Sequence, residues 1–167
     1  MNFACDAKII PLSTMDVIAE NVAQYAPSDK KATVGLQKPE IESIATILDA
    51  KRGQFYIAVY KRLSKNTNTQ YEKIQPDCLM TASQFLDRFA QNAEPIWLLG
   101  EGLVYHKDAF KAENIHFFEK KYWTPRAAKV HSLGWQLALE GKFADPLTLQ
   151  PNYLLRPDAE VRLKSRP

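Results

Sequence analysis

Two apolar, β-branched runs, Ile44-Ala45-Thr46-Ile47-Leu48 and Phe55-Tyr56-Ile57-Ala58-Val59-Tyr60, flank the polar connection Asp49-Ala50-Lys51-Arg52-Gly53-Gln54. This pattern predicts a β-hairpin with charge concentrated at its turn. Upstream, Ser13-Thr14 supply capping side chains, and Met15, Ile18, Ala19, Val22 and Ala26 recur at three- and four-residue steps. They predict a helix from about Met15 to Tyr25 with one apolar stripe, ended by Pro27. The stretch from Ser28 to Glu40 reads as a connector with a brief strand at Ala32 to Leu36. Downstream of the hairpin, Gln70 to Ile74 predicts a third antiparallel strand. Thr81 or Ser83 caps a helix carrying Phe85, Leu86 and Phe89. The continuous run Ile96-Trp97-Leu98-Leu99 predicts a buried strand in parallel pairing. A short helix around Tyr105 to Lys111 and a strand at Ile115 to Phe118 follow. In the last helix Thr124 caps, Pro125 takes the first position and Gly141 stands just past the end, giving a span of about Pro125 to Glu140. Its face of Ala127, Val130, His131, Gly134, Trp135 and Ala138, broadened by Leu133 and Leu137, predicts burial against the sheet. Four prolines from Pro146 onward leave an irregular tail.

Composition narrows the classes without choosing among them. With 167 residues, 46% hydrophobic and 25% charged, the chain supports one full-sized core with appendages. A net charge of +3 from 22 basic and 19 acidic residues is mild beside dedicated nucleic-acid binders. Cys5 and Cys78 are far apart with no CxxC spacing, so neither a disulfide framework nor a zinc site is indicated and a reducing cytoplasm fits best. No apolar run reaches membrane-spanning length, which makes a membrane partner unexpected. His106, His116 and His131 form no HxxH or HExxH arrangement. No serine lies in a Gly-x-Ser-x-Gly elbow, and no cofactor is implied.

Three antiparallel strands followed by helix-strand-helix-strand-helix is the α/β order of a ribonuclease-H-like lobe, the unit of the actin-like ATPase superfamily. Within that order the chain resembles the TsaB family, also called YeaZ. The resemblance rests on Ile10-Pro11-Leu12-Ser13-Thr14 before an apolar helix, the Asp49-Ala50-Lys51-Arg52-Gly53-Gln54-Phe55-Tyr56 hairpin, the Gly100-Glu101-Gly102 turn, and the tail Pro151-Asn152-Tyr153-Leu154-Leu155-Arg156-Pro157-Asp158-Ala159-Glu160. In one place the chain departs from the family pattern: arginine usually follows the Tyr-Leu pair directly, whereas Leu155 stands there and Arg156 comes next. The Gly-Ser-Phe-Thr-Gly type loop of the family's first lobe is also absent.

The resemblance divides the chain into 1–40, a remnant of the preceding lobe, 41–142, the ribonuclease-H-like C-terminal lobe, and 143–167, a proline-rich tail. It implies a non-catalytic scaffold in the complex that makes N6-threonylcarbamoyladenosine next to the anticodon of tRNA. The implied partners are the catalytic threonylcarbamoyltransferase subunit (TsaD-like) and the ATPase subunit (TsaE-like), with tRNA contacted indirectly and homodimer formation open. Two other readings stand beside it: a nucleotide-dependent or M22 glycoprotease-like enzyme with a relocated site, and a direct tRNA-binding module.

The candidate binding residues are Asp49, Lys51, Arg52, Tyr153 and Arg156; no catalytic or metal residue is assigned. Related ATPases place a metal- or phosphate-contacting aspartate where Asp49 falls, but an aspartate that starts a hairpin turn is also ordinary turn chemistry. Lys51 and Arg52 suit an acidic partner or a phosphate, and equally suit a solvated hairpin tip. Gly100-Glu101-Gly102 lacks the third glycine and the lysine of a phosphate loop and reads as a strand-to-helix turn. Tyr153, Leu154 and Arg156 suit a clip that holds the tail across the lobe. Tyr56, Tyr60, Tyr71 and Tyr122 have the chemistry to stack on bases, yet Tyr56 and Tyr60 share a strand face with Ala58 and suit core packing. His131 reads as a hydrogen-bonded core residue.

Overall fold

The structure is a computed structural model and describes residues 7–23, 41–63, 71–91, 94–152 and 154. Its elements are α1 (Thr14–Glu20), β1 (Ser43–Asp49), β2 (Gln54–Arg62), β3 (Tyr71–Thr81), α2 (Ala82–Phe89), β4 (Ile96–Leu99), α3 (Leu103–His106), β5 (Ile115–Phe117) and α4 (Ala127–Leu139). Short 3-10 turns at Lys107–Phe110 and Lys120–Tyr122 follow α3 and β5. The five strands form one sheet in the order β3-β2-β1-β4-β5. β1 to β3 run as an antiparallel meander, and β4 and β5 add on in parallel beside β1. This is the predicted α/β order.

β1 and β4 are central and buried on both faces, which explains their unbroken apolar runs: Ile44, Ala45, Thr46, Ile47, Leu98 and Leu99 are all fully buried. One face is covered by α1, whose Met15, Ile18, Ala19 and Val22 join the core. The other carries Phe85 of α2 and Phe110, both at 0% exposure and in edge contact at 5.7 Å. Ser13 caps α1 by accepting from the Met15 amide at 3.2 Å. Thr81 and Gln84 form a reciprocal capping box at α2, worth about 1 kcal/mol. Tyr60 is 4% exposed and packs as a core residue, as the strand register implied.

Several expectations are corrected. α1 is assigned only to Glu20, with a turn at Asn21 to Ala23; its predicted continuation, and the strand at Ala32 to Leu36, lie outside the described residues. β3 reaches Thr81 instead of stopping at Ile74. It runs through Pro76 because it is the sheet edge, where a missing N–H costs no ladder bond, and because its register with β2 shifts around Pro76. The helix predicted around Tyr105 begins at Leu103, since the Gly102 amide is already turned back onto the Ile47 oxygen at 3.0 Å.

α4 departs most. Arg126, not Thr124, is its N-cap, and it makes no side-chain capping bond. Thr124 instead offers its carbonyl to the Asn21 side chain at 2.8 Å. No α4 residue is buried, and the helix packs beside α1 rather than covering the sheet. The partly covered side carries Lys129, Ser132, Leu133 and Leu137, while His131 and Trp135 face solvent. His131 is therefore an exposed residue.

Lys129 reaches Glu20 at 3.7 Å across the two helices. Burial raises the Glu20 pKa above 4.5, against the opposing pull of Lys129. A raised folded pKa contributes stability fully below the ordinary carboxylate value and loses it as pH climbs through the folded value. Glu20→Gln is therefore expected to raise the urea midpoint slightly at pH 7 and to match the native protein at pH 4. Equal midpoints for the two proteins at pH 7 would refute this account of Glu20.

Candidate functional site

At the carboxyl ends of β1 and β4, where open α/β sheets commonly place ligands, a cleft of about 640 Å³ is lined by Asp49, Lys51, Tyr56, Glu101, His106 and Lys120, among others. Asp49 ends β1, and the turn that follows it carries the site's chemistry. Asp49 Oδ1 accepts from the Lys51 amide at 2.7 Å, and Oδ2 pairs with Lys51 Nζ at 2.9 Å. The Lys51 ammonium and then its amide hold the Asp49 carboxyl below the ordinary aspartate range. The Ala50 amide donates to the Gln54 carbonyl at 2.9 Å and the Gln54 amide to the Lys51 carbonyl at 3.0 Å. Lys51 and Arg52 both sit in the left-handed region, at φ 69° and 57°, followed by Gly53 at 71°. Two consecutive non-glycine residues there cost on the order of 1–2 kcal/mol each, which the Asp49 bonds help to offset.

Across the cleft, Gly100-Glu101-Gly102 is the predicted strand-to-helix turn. It lies directly on β1: a Cβ on Gly102 would stand 3.0 Å from the Asp49 nitrogen. Glu101 is exposed, and the His106 ring rests edge-on against Phe55 at 5.2 Å. The cleft thus gathers Asp49, Lys51, Glu101 and His106, but no group of three or more His, Cys, Asp or Glu among the described residues could hold a metal ion. Of the predicted binding residues, Asp49 and Lys51 line the cleft and Arg52 is exposed at the hairpin tip. Tyr153 and Arg156 lie outside the described residues. Leu154 lines a groove with Pro11, Ser13 and Tyr56.

A second polar constellation has no local sequence signal, because its members come from three elements. Lys73 of β3 bridges Asp16 of α1 and Asp77, at 2.5 and 2.7 Å. Tyr60 donates to Asp16 at 2.8 Å and Ser13 to Asp77 at 2.6 Å. Burial pulls against the Lys73 ammonium, but bonds to both carboxylates more than compensate and its pKa lies above the ordinary lysine value. Burial and then Asp16 push the Tyr60 hydroxyl far up, so it stays a donor. The cluster fastens α1 across β2 and β3.

No protein-family model and no curated protein matches the chain. Solved structures do match. A Pseudomonas aeruginosa protein described as uncharacterized with similarity to peptidase YeaZ superimposes with a TM-score of 0.67 at 14% identity, over 92% of this chain and 62% of that one. The chain has the YeaZ fold. YeaZ from Pseudomonas aeruginosa itself gives a TM-score of 0.65 at 13% identity, over 91% of this chain and 62% of YeaZ. The chain therefore spans less than two thirds of the length of these YeaZ structures. The expected ribonuclease-H-like order agrees with that likeness.

Proposed function

We propose that this chain is a TsaB-like, non-catalytic scaffold lobe for the machinery that makes N6-threonylcarbamoyladenosine in tRNA, working beside a TsaD-like catalytic subunit and a TsaE-like ATPase. The YeaZ fold supports the family half of this reading. One observation supports the non-catalytic half: three amides of the turn after β1, and the Asp49 carboxylate, are engaged within the turn. A loop that cradles phosphates presents amides to the ligand. Here the Ala50, Lys51 and Gln54 amides are donated within the turn, and both Asp49 oxygens are engaged by Lys51. The side chains of Lys51 and Arg52 also stand where glycines would let the backbone close on a phosphate.

The test is calorimetric titration of the chain with magnesium-ATP. The expected result is no saturable heat up to about 1 mM ligand, the scale of the weakest specific binding. A micromolar dissociation constant that is abolished in Asp49→Ala would overturn the reading in favour of a nucleotide-dependent enzyme. The specific observation on that side is the gathering of Asp49, Glu101 and His106 on one cleft.

A further inference from the structure

Between α1, the β2–β3 border and α4 lies a cavity of about 610 Å³ that shares no lining residue with the cleft at Asp49. Its size is that of a small-molecule site. Leu12, Ala19, Leu133 and Leu137 give it aliphatic walls, and Tyr60 and Tyr71 add ring surface. Both tyrosine hydroxyls are already engaged, on Asp16 at 2.8 Å and on the Ile41 carbonyl at 3.0 Å.

The charged groups around this apolar space are unevenly matched. Asp16 and Asp77 share the Lys73 ammonium. Glu20 has Lys129 at 3.7 Å, longer than the ~2.7–2.9 Å of a charge-assisted hydrogen bond. Glu140 pairs with Lys142 at 2.7 Å in open solvent. Four carboxylates thus share three ammoniums, and Glu42 and Arg62, which act on Tyr71 with opposite charge, cancel. Asp16 Oδ2 and Glu20 Oε2 take no partner among the described residues. Burial holds the Glu20 pKa up, so this carboxylate stands in the cavity wall at a cost to the fold, as groups kept for binding do.

We propose that the cavity binds a linear aliphatic diamine or polyamine, its ammoniums on Asp16 and Glu20 and its methylenes along the leucine and tyrosine walls. An anion would oppose the surplus carboxylate. A metal ion does not suit the geometry, because the carboxylates are dispersed and no three acidic, His or Cys side chains among the described residues could hold one. The fitting cation carries its charges spread along an apolar body. Asp16 and Glu20 stand one turn apart on α1, about 6 Å of rise. Two ammoniums joined by four methylenes span about the same distance when extended, given single bonds near 1.5 Å. Ring faces also attract a cation, as Tyr60 does Lys73 at 5.5 Å from its centroid. The site does not depend on the scaffold reading above, since it uses none of the residues of that cleft.

Calorimetric titration with spermidine at about 0.15 M salt, where diffuse attraction is screened, tests it. The chain carries a net charge of +3, so bulk charge gives it no attraction for a polycation. Saturable binding with a Kd on the order of 10–100 µM is expected. Putrescine is expected to bind measurably, and butylamine, with one ammonium, at least about tenfold more weakly than putrescine. Glu20→Gln keeps the shape of the wall and is expected to weaken spermidine binding at least about tenfold with unchanged circular dichroism. Glu113→Gln, at an exposed carboxylate just before β5 on the opposite border of the sheet, is expected to leave it unchanged. No saturable heat up to about 1 mM spermidine, equal affinity for butylamine and putrescine, or a Glu20→Gln protein that binds as tightly as the native chain would each overturn the proposal. Tighter binding of tetralysine than of spermidine would overturn it too, and would assign the cavity to lysine side chains of a polypeptide.

Discussion

Gly100→Ala is expected to cost at least about 4 kcal/mol and to leave little soluble folded protein. Gly100 holds φ at +124°, and a Cβ there would stand 2.8 Å from the Ile47 nitrogen and 2.9 Å from its carbonyl carbon, closer still to its oxygen. The obstacle is backbone, so no rotamer change relieves it. Ile47 belongs to β1, which is bonded to β2 on one side and lies beside β4 on the other, and moving it disturbs the centre of the sheet. Conformational strain alone accounts for only about 1–3 kcal/mol. Gly53→Ala separates the two contributions, because Gly53 has φ +71° and nothing within 4 Å of its would-be Cβ. Its expected cost is about 1 kcal/mol. Thermal unfolding of both variants checks the contrast, and similar costs at the two positions would show that the close approach to Ile47 is not the cause.

Phe110→Ala is expected to destabilise by about 3–5 kcal/mol, read as a lower urea midpoint at unchanged slope. The ring is at 0% exposure, in edge contact with Phe55 at 4.9 Å and with Phe85 at 5.7 Å. Removing it leaves an apolar void under the 3-10 turn that follows α3, between α2 and the hairpin strand β2. Its effect reaches the cleft, since Phe55 also supports the His106 ring. Amide exchange is therefore expected to quicken over 103–110 more than over β1. Uniform acceleration across both segments would contradict that local coupling.

Much of this fold is written locally in the chain. The hairpin, the parallel strand at Ile96 to Leu99 and the Thr81 cap each depend on neighbours in sequence, and each is where the pattern puts it. The chemistry at Asp49 was legible for the same reason, as a side chain folding back on the amide two residues on. What escaped prediction depends on distant partners. The predicted third strand stopped at Ile74, before Pro76 and Asp77, yet an edge position tolerates both, and Lys73 within it is held by Asp16 from α1. The amphipathic pattern of α4 identifies an apolar stripe but not the surface that covers it. The contact with α1 runs instead along Lys129, Leu133 and Leu137, where one salt bridge and aliphatic stems suffice.

The outline of the sheet also limits how these molecules can aggregate. β5 is three residues long, and β3 places a proline and a register shift midway along the opposite border. A neighbouring strand arriving at either border would find too few consecutive donors and acceptors to extend the ladder. Crowded copies are thereby steered away from fibre-like stacking through the borders of this sheet.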